Sequence, residues 1–262
     1  MLTDMTAQPA LFTIAAYTLL EAIRNRLLWL VFVFMVSAFT LAEFLGEVAI
    51  TESVQFQSGF LGAILRVVAV FIVSLFIITS MVREFSDKGL ELVLSLPIPR
   101  ASYFAGKFLG FAWLAVLVAL ASCVCLLVYA PAIQVVLWGV SLAMELLIVT
   151  ALSILCLFTF AHVTSALSVV IAFYVVARSI AAIQLMTNGP LVGSSGFSQQ
   201  LIEKFIDALA FVLPELHRFT PSSWLIHYDG DWANLLPLAG QTVIYVGFLC
   251  AAALFDLYRK NL

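Results

Sequence analysis

Residues 108 to 144 form an uninterrupted stretch of 37 residues without a single Asp, Glu, Lys or Arg. As a continuous helix it would reach about 55 Å at 1.5 Å per residue, and one bilayer crossing takes only about 30 Å. A soluble domain cannot bury such a segment. The chain as a whole has the same character, with 64% hydrophobic and 10% charged residues over 262 positions, where a soluble globule uses about 25% charged residues to hydrate its surface. The sequence therefore predicts an all-α polytopic membrane protein.

The long stretch must turn inside the protein. Tyr129-Ala130-Pro131 is the expected corner, because proline removes a donor and disfavours helix at the residue before it. Residues 146 to 177 also run without formal charge, and Thr159, His162, Thr164 and Ser165 are the polar residues able to form a second turn. Six spans follow, at about 27–45, 59–82, 107–130, 133–158, 162–186 and 233–256, all in a single transmembrane unit covering residues 1–262. With the N-terminus inside, the cytoplasmic segments hold eight Lys and Arg (Arg24, Arg26, Arg83, Lys88, Arg100, Lys107, Arg259, Lys260) and the outer loops two (Lys204, Arg218). That bias predicts N-in, C-in topology. Residues 1–10 carry Asp4 and no base, so the first apolar segment is expected to be retained and not cleaved as a signal peptide.

Other classes are excluded by what the chain contains. The net charge of −3 and the lack of a basic block argue against nucleic acid. Cys123, Cys125, Cys156 and Cys250 fall in apolar runs and read as small buried hydrophobes. His217, His227, Asp229 and Asp231 match no compact metal site, and no G-x-x-x-x-G-K-[ST] string holds phosphate. Gly193-Ser194-Ser195-Gly196 lies in an outer loop, away from His162, so a serine-based enzyme is not expected. Catalytic residues, metal ligands and cofactors of this chain are accordingly expected to be none.

Three segments outside the spans have structure of their own. Phe12, Ala16, Leu19, Leu20, Ile23 and Leu27 recur at helical spacing in residues 9–26, which predicts an amphipathic helix at the cytoplasmic interface. After the second span, Glu84, Asp87, Lys88 and Glu91 fall on one helical face and Leu90, Val93 and Leu94 on another, with Pro97 and Pro99 ending the helix. In the outer loop, residues 187–235, Leu201, Ile202, Phe205, Ile206, Leu209 and Val212 oppose Gln199, Glu203, Lys204 and Asp207, predicting an outer interfacial helix before the last span.

The ordered string Arg83-Glu84, Gly89, Glu91, Leu94, Pro97, Arg100 and Gly106-Lys107, placed directly after a second span, resembles the loop of ABC-2 type transporter permeases. The number of spans, the N-terminal helix and the long outer segment resemble that family too. The resemblance implies a permease subunit of an ATP-driven exporter, multi-pass in the cytoplasmic membrane of a bacterium. It implies a second permease subunit, as a homodimer, and two copies of a separate ATPase that binds ATP and Mg. Residues 9–26 would then be the elbow helix and about 84–95 the coupling helix, with Glu84, Asp87, Gly89, Glu91, Pro97 and Arg100 as the residues that meet the ATPase.

Three charges lie inside predicted spans: Arg66 in the second, Glu145 in the fourth and Arg178 in the fifth. An unpaired charge there costs on the order of 3 kcal/mol or more, so each needs a partner. One acid between two bases predicts an ion-pair cluster joining these spans, with a polar lining of the path or an anchor for an anionic head group as the functional alternative. Abundant phenylalanine, 22 residues, and the lack of an acid ladder favour an apolar or amphipathic cargo. An ion-coupled secondary transporter built on the three charges, or a membrane scaffold or enzyme, are the competing classes.

Overall fold

The computed structural model describes residues 3–25, 27–48, 53–86, 99–160, 162–187 and 197–259. Its helices are α1 (Thr3–Arg24), α2 (Leu27–Val48), α3 (Ser53–Ser86), α4 (Arg100–Leu126), α5 (Ala132–Thr159), α6 (Val163–Thr187), α7 (Phe197–Val212), the single turn α8 (Ser223–Ile226) and α9 (Leu235–Arg259). Two 3₁₀ turns, Leu216–Arg218 and Trp232–Asn234, complete the described elements, and no strand occurs among them. Six of these helices, α2 to α6 and α9, are long and apolar enough to cross a bilayer. The protein is an all-α polytopic membrane protein.

Composition explains which span sits where. α5 is the most buried of the six and α2 the least. The small or hydroxylated residues Gly139, Ser141, Thr150, Ala151 and Ser153 are all buried on α5, so neighbouring helices can approach it from several sides. The hydroxyls of Thr150 and Ser153 donate to Leu146 O and Val149 O of their own helix, which satisfies them without a partner helix. Around α5 pack α3, α4, α6 and α9, and the core runs through Phe76, Phe111, Trp138, Leu142 and Leu146.

The turns follow the residues that break helix. α4 gives way after Leu126 to a turn in which Tyr129 N and Ala130 N both donate to Leu126 O, and α5 starts behind Pro131. Tyr129, raised in pKa by burial and by its 2.5 Å hydrogen bond to Glu43 Oε1, ties this corner to α2. α5 stops at Thr159, Phe160 is extended, and Ala166 N donates back to His162 O as α6 begins. The ends of α3 and α9 and the start of α4 share one side, which carries Arg83, Arg100, Lys107 and Arg259. This is the basic side; the Tyr129 corner marks the other.

α1 packs through a face other than the expected apolar stripe. Ala15, Thr18 and Ala22 are buried, whereas Phe12, Leu20 and Ile23 are exposed. The reason is close approach: a Cβ at Gly106 would meet Ile14 and Leu11 O, and one at Gly110 would meet Thr18 and Ala15 O at 2.6–2.9 Å. Small residues facing glycines let two backbones come together, and the large apolar residues are left for lipid. Because the matched positions rise together, α1 runs alongside the first turns of α4 in the same direction.

Candidate functional site

Two polar clusters lie among the spans. The first is built on Glu145, which stands 13 residues into α5, about 20 Å along the helix, and is 0% exposed. Glu145 Oε1 receives Arg178 Nη1 of α6 at 3.2 Å, and Oε2 accepts the Thr220 hydroxyl at 2.8 Å. Arg178 Nη1 also donates to Leu216 O at 2.7 Å and Phe219 O at 3.0 Å. Arg66 of α3 donates through Nη1 to Thr220 O at 3.1 Å, and Thr220 N donates to Ser141 Oγ at 3.0 Å. Every polar group of Thr220 is thereby bonded to a side chain of α3, α5 or α6. A β-branched residue at φ 46° is an outlier, costing on the order of 1–3 kcal/mol, and these bonds hold it there.

The expected contact of Glu145 with both arginines is corrected in one respect. Glu145 pairs with Arg178, but Arg66 makes no ion pair among the described residues, because Thr220 is interposed and takes its Nη1 hydrogen bond. The cluster therefore joins α5 and α6 directly, and α3 to them through the chain between α7 and α9.

The sequence places that chain in the outer loop; the structure places it in the core. Leu213, Leu216, Phe219, Thr220, Trp224 and Leu225 are buried. Gly59 and Gly62 of α3 leave room for it, since a Cβ at either would meet Ile226 or Leu225 within 2.7 Å. Ser58 Oγ donates to Leu225 O, and Gln134 Nε2 donates to Tyr228 O and Gly230 O. The segment dips between α3, α5 and α6 and returns as α9. Its signal in the sequence was the density of Leu, Phe and Trp around Pro214 and Pro221 in a nominally outer loop. His217, beside the cluster, has its pKa lowered by burial, and its Nδ1 has no hydrogen-bond partner among the described residues.

The second cluster is at the basic side. Glu84, expected on the solvated face of a separate short helix, belongs instead to the last turn of α3 and is turned inward. Lys107 Nζ lies 2.6 Å from its Oε2, and the Tyr103 hydroxyl donates to its Oε1 at 2.8 Å. The long apolar run of α3 continues through Met81 and Phe85, so the helix persists past the expected end and carries Glu84 to the facing turn of α4. Glu21 of α1 accepts from Ser80 at 2.7 Å nearby. Together Ile14, Tyr17, Thr18, Glu21, Glu84, Tyr103 and Lys107 surround an open cavity of about 220 Å³. Arg100 donates to Leu257 O at 3.5 Å, linking the start of α4 to the end of α9. Asp87, Gly89, Glu91 and Pro97 lie outside the described residues.

The end of α3 and the start of α4 are thus fastened to each other, and α3 also to α1. Compared with known proteins, the sequence matches no family model and no curated relative.

Proposed function

We propose that the protein is the membrane-spanning permease subunit of an ATP-driven exporter of the ABC-2 type. The observation that carries the reading is the string Arg83-Glu84, Gly89, Glu91, Leu94, Pro97, Arg100 and Gly106-Lys107 between the second and third spans. Two of its charged members, Glu84 and Lys107, form the ion pair at the base of the loop. A segment that receives force from a soluble partner needs a stiff attachment to the spans that move, and an ion pair reinforced by Tyr103 supplies one.

In this reading residues 87–98 seat in the ATPase, and closure of the ATPase around ATP pulls the α3–α4 junction. α1, packed on α4 and bonded through Glu21 to α3, moves with it. The ATP and Mg are bound by two copies of the partner, and two permease chains enclose the path of an amphipathic cargo. The membrane is the cytoplasmic membrane of a bacterium, with the basic side inside.

Affinity purification of the tagged protein from its native membrane, followed by mass spectrometry, tests the reading. The expected result is stoichiometric recovery of one P-loop ATPase whose hydrolysis is retained in the complex. Recovery without any ATPase, together with a proton-gradient-driven flux in vesicles, would replace the reading with an ion-coupled transporter.

A further inference from the structure

The cavity at the basic side carries more negative charge than its own residues balance. It is open, and its volume of about 220 Å³ far exceeds the roughly 15 Å³ that one water needs. Of the residues that line it, Glu21 and Glu84 are acidic and Lys107 is basic, so the lining has a net charge of −1. Glu84 is served on both oxygens, by Lys107 Nζ and by the Tyr103 hydroxyl. The surplus therefore resides on Glu21. Its Oε1 accepts from Ser80, a neutral donor that leaves the charge standing, and Glu21 forms no ion pair among the described residues. Arg24 and Arg83, exposed on α1 and α3, do not line the cavity.

The walls differ in kind. α1 turns Ile14, Tyr17, Thr18 and Glu21 to the cavity, positions that share one helical face, and the end of α3 and the start of α4 supply Glu84, Tyr103 and Lys107. Ile14 and the Tyr17 ring make an apolar side and the carboxylates a polar one. Beside it, Phe12, Leu20 and Ile23 of α1 are exposed and suited to lipid, so the cavity opens at the level of the headgroups on the basic side.

We infer that this cavity binds a primary ammonium group, with Glu21 as its counter-ion and Glu84 as a second acceptor. Each carboxylate oxygen has two acceptor sites, so the bonds from Ser80 and Tyr103 leave room for further donors. A primary ammonium brings three N–H donors and forms charge-assisted hydrogen bonds, whereas a quaternary one has the same charge and no donor. The carboxylates therefore select an ethanolamine-type group over a choline-type one, while Ile14 and Tyr17 cover its methylenes. A lipid headgroup and a free amine both carry this chemistry. The inference does not rest on an ATPase: it follows from the cavity and its charge.

Native mass spectrometry of the purified chain in detergent, with equal amounts of phosphatidylethanolamine and phosphatidylcholine, reads the lipid source. The two headgroups share a phosphate and a positive charge and differ in their N–H donors. The wild type is expected to retain phosphatidylethanolamine in about tenfold preference, the ratio that one hydrogen bond to a charged group gives. Thermal melts of the delipidated chain in equal concentrations of ethanolamine or choline read the soluble source. A lipid preference assigns the site to a headgroup; stabilisation by ethanolamine without a lipid preference assigns it to a free amine. Glu21→Gln should abolish whichever discrimination the wild type shows. Tyr17→Lys should do the same, because it sets an ammonium of the chain's own one turn from Glu21, at a position 69% exposed and so tolerant of the change. A wild type that discriminates in neither measurement overturns the inference. So does undiminished discrimination in Glu21→Gln or, if that variant does not fold, in Tyr17→Lys.

Discussion

Thr220 is the residue on which the inner cluster turns, because its amide, carbonyl and hydroxyl each meet a different side chain. Removing Glu145 leaves Arg178 buried without its acid, and breaking such a pair costs about 3–5 kcal/mol. Glu145→Ala is expected to lower the melting temperature by about 10 °C, the shift that a loss of this size gives in a chain of this length. Glu145→Gln should lose less, since its amide oxygen can still accept from Arg178 or from the Thr220 hydroxyl. Equal melting curves for the two variants and the wild type would show that the pair carries no stability. His217 adds a pH dependence. Its folded pKa lies below the ordinary 6.5, so on acidification the unfolded chain takes up the proton first. Stability is therefore whole above about pH 6.5 and declines as pH falls through the lowered pKa. His217→Gln should flatten that decline in thermal melts between about pH 7 and pH 5. An unchanged slope would assign the acid sensitivity elsewhere. These residues differed in how plainly the sequence announced them. Arg66, Glu145 and Arg178 stood out because they interrupt otherwise apolar spans. Thr220 did not, because nothing local marks a threonine that three distant helices will surround.

Elements with a strong helical period were the most legible. The break at Pro131 follows from what proline does to the residues before it, and α7 runs over Phe197–Val212, where a helix is expected from Ser198 onwards. The chain from Leu213 to Gly230 had no such period: Pro214 and Pro221 cut it into turns, and only its tertiary partners give it a fixed place. For α1, hydrophobicity marks Phe12, Leu20 and Ile23, which lie exposed as on an interfacial helix, whereas packing on α4 uses small residues opposite Gly106 and Gly110. This predicts that Gly110→Val forces α1 off α4 and lowers thermal stability, whereas Gly247→Val, at a site with nothing within 4 Å, does not. Comparable loss in both variants would mean that the close approach is not what holds α1. Pro97 and Pro99 precede α4 in the sequence, and proline restricts the backbone where it stands. Replacing both with Gly is expected to leave capture of the ATPase intact and to abolish stimulation of its hydrolysis by cargo. Loss of capture would instead place the prolines in the contact itself.

For the molecule as a whole, the two clusters lie toward opposite sides of one helical bundle. α3 belongs to both, through Arg66 in its first half and Glu84 in its last turn. α3 therefore connects the α3–α4 junction to the segment that Thr220 secures, and this is the route that the exporter reading proposes. The exporter reading requires that residues 87–98 receive work from a separate ATPase. Glu91 tests this more directly than Glu84 does, because Glu84 is committed to Lys107 and Tyr103, and its loss would loosen the junction from within. The decisive measurement is capture of the partner ATPase by purified wild type and Glu91→Lys proteins of equal melting temperature. The expected result is stoichiometric capture by the wild type and a loss of at least about tenfold in affinity for the variant, from reversed charge at the proposed contact. Equal capture by both proteins, with equal ATP hydrolysis in the recovered complexes, would contradict it.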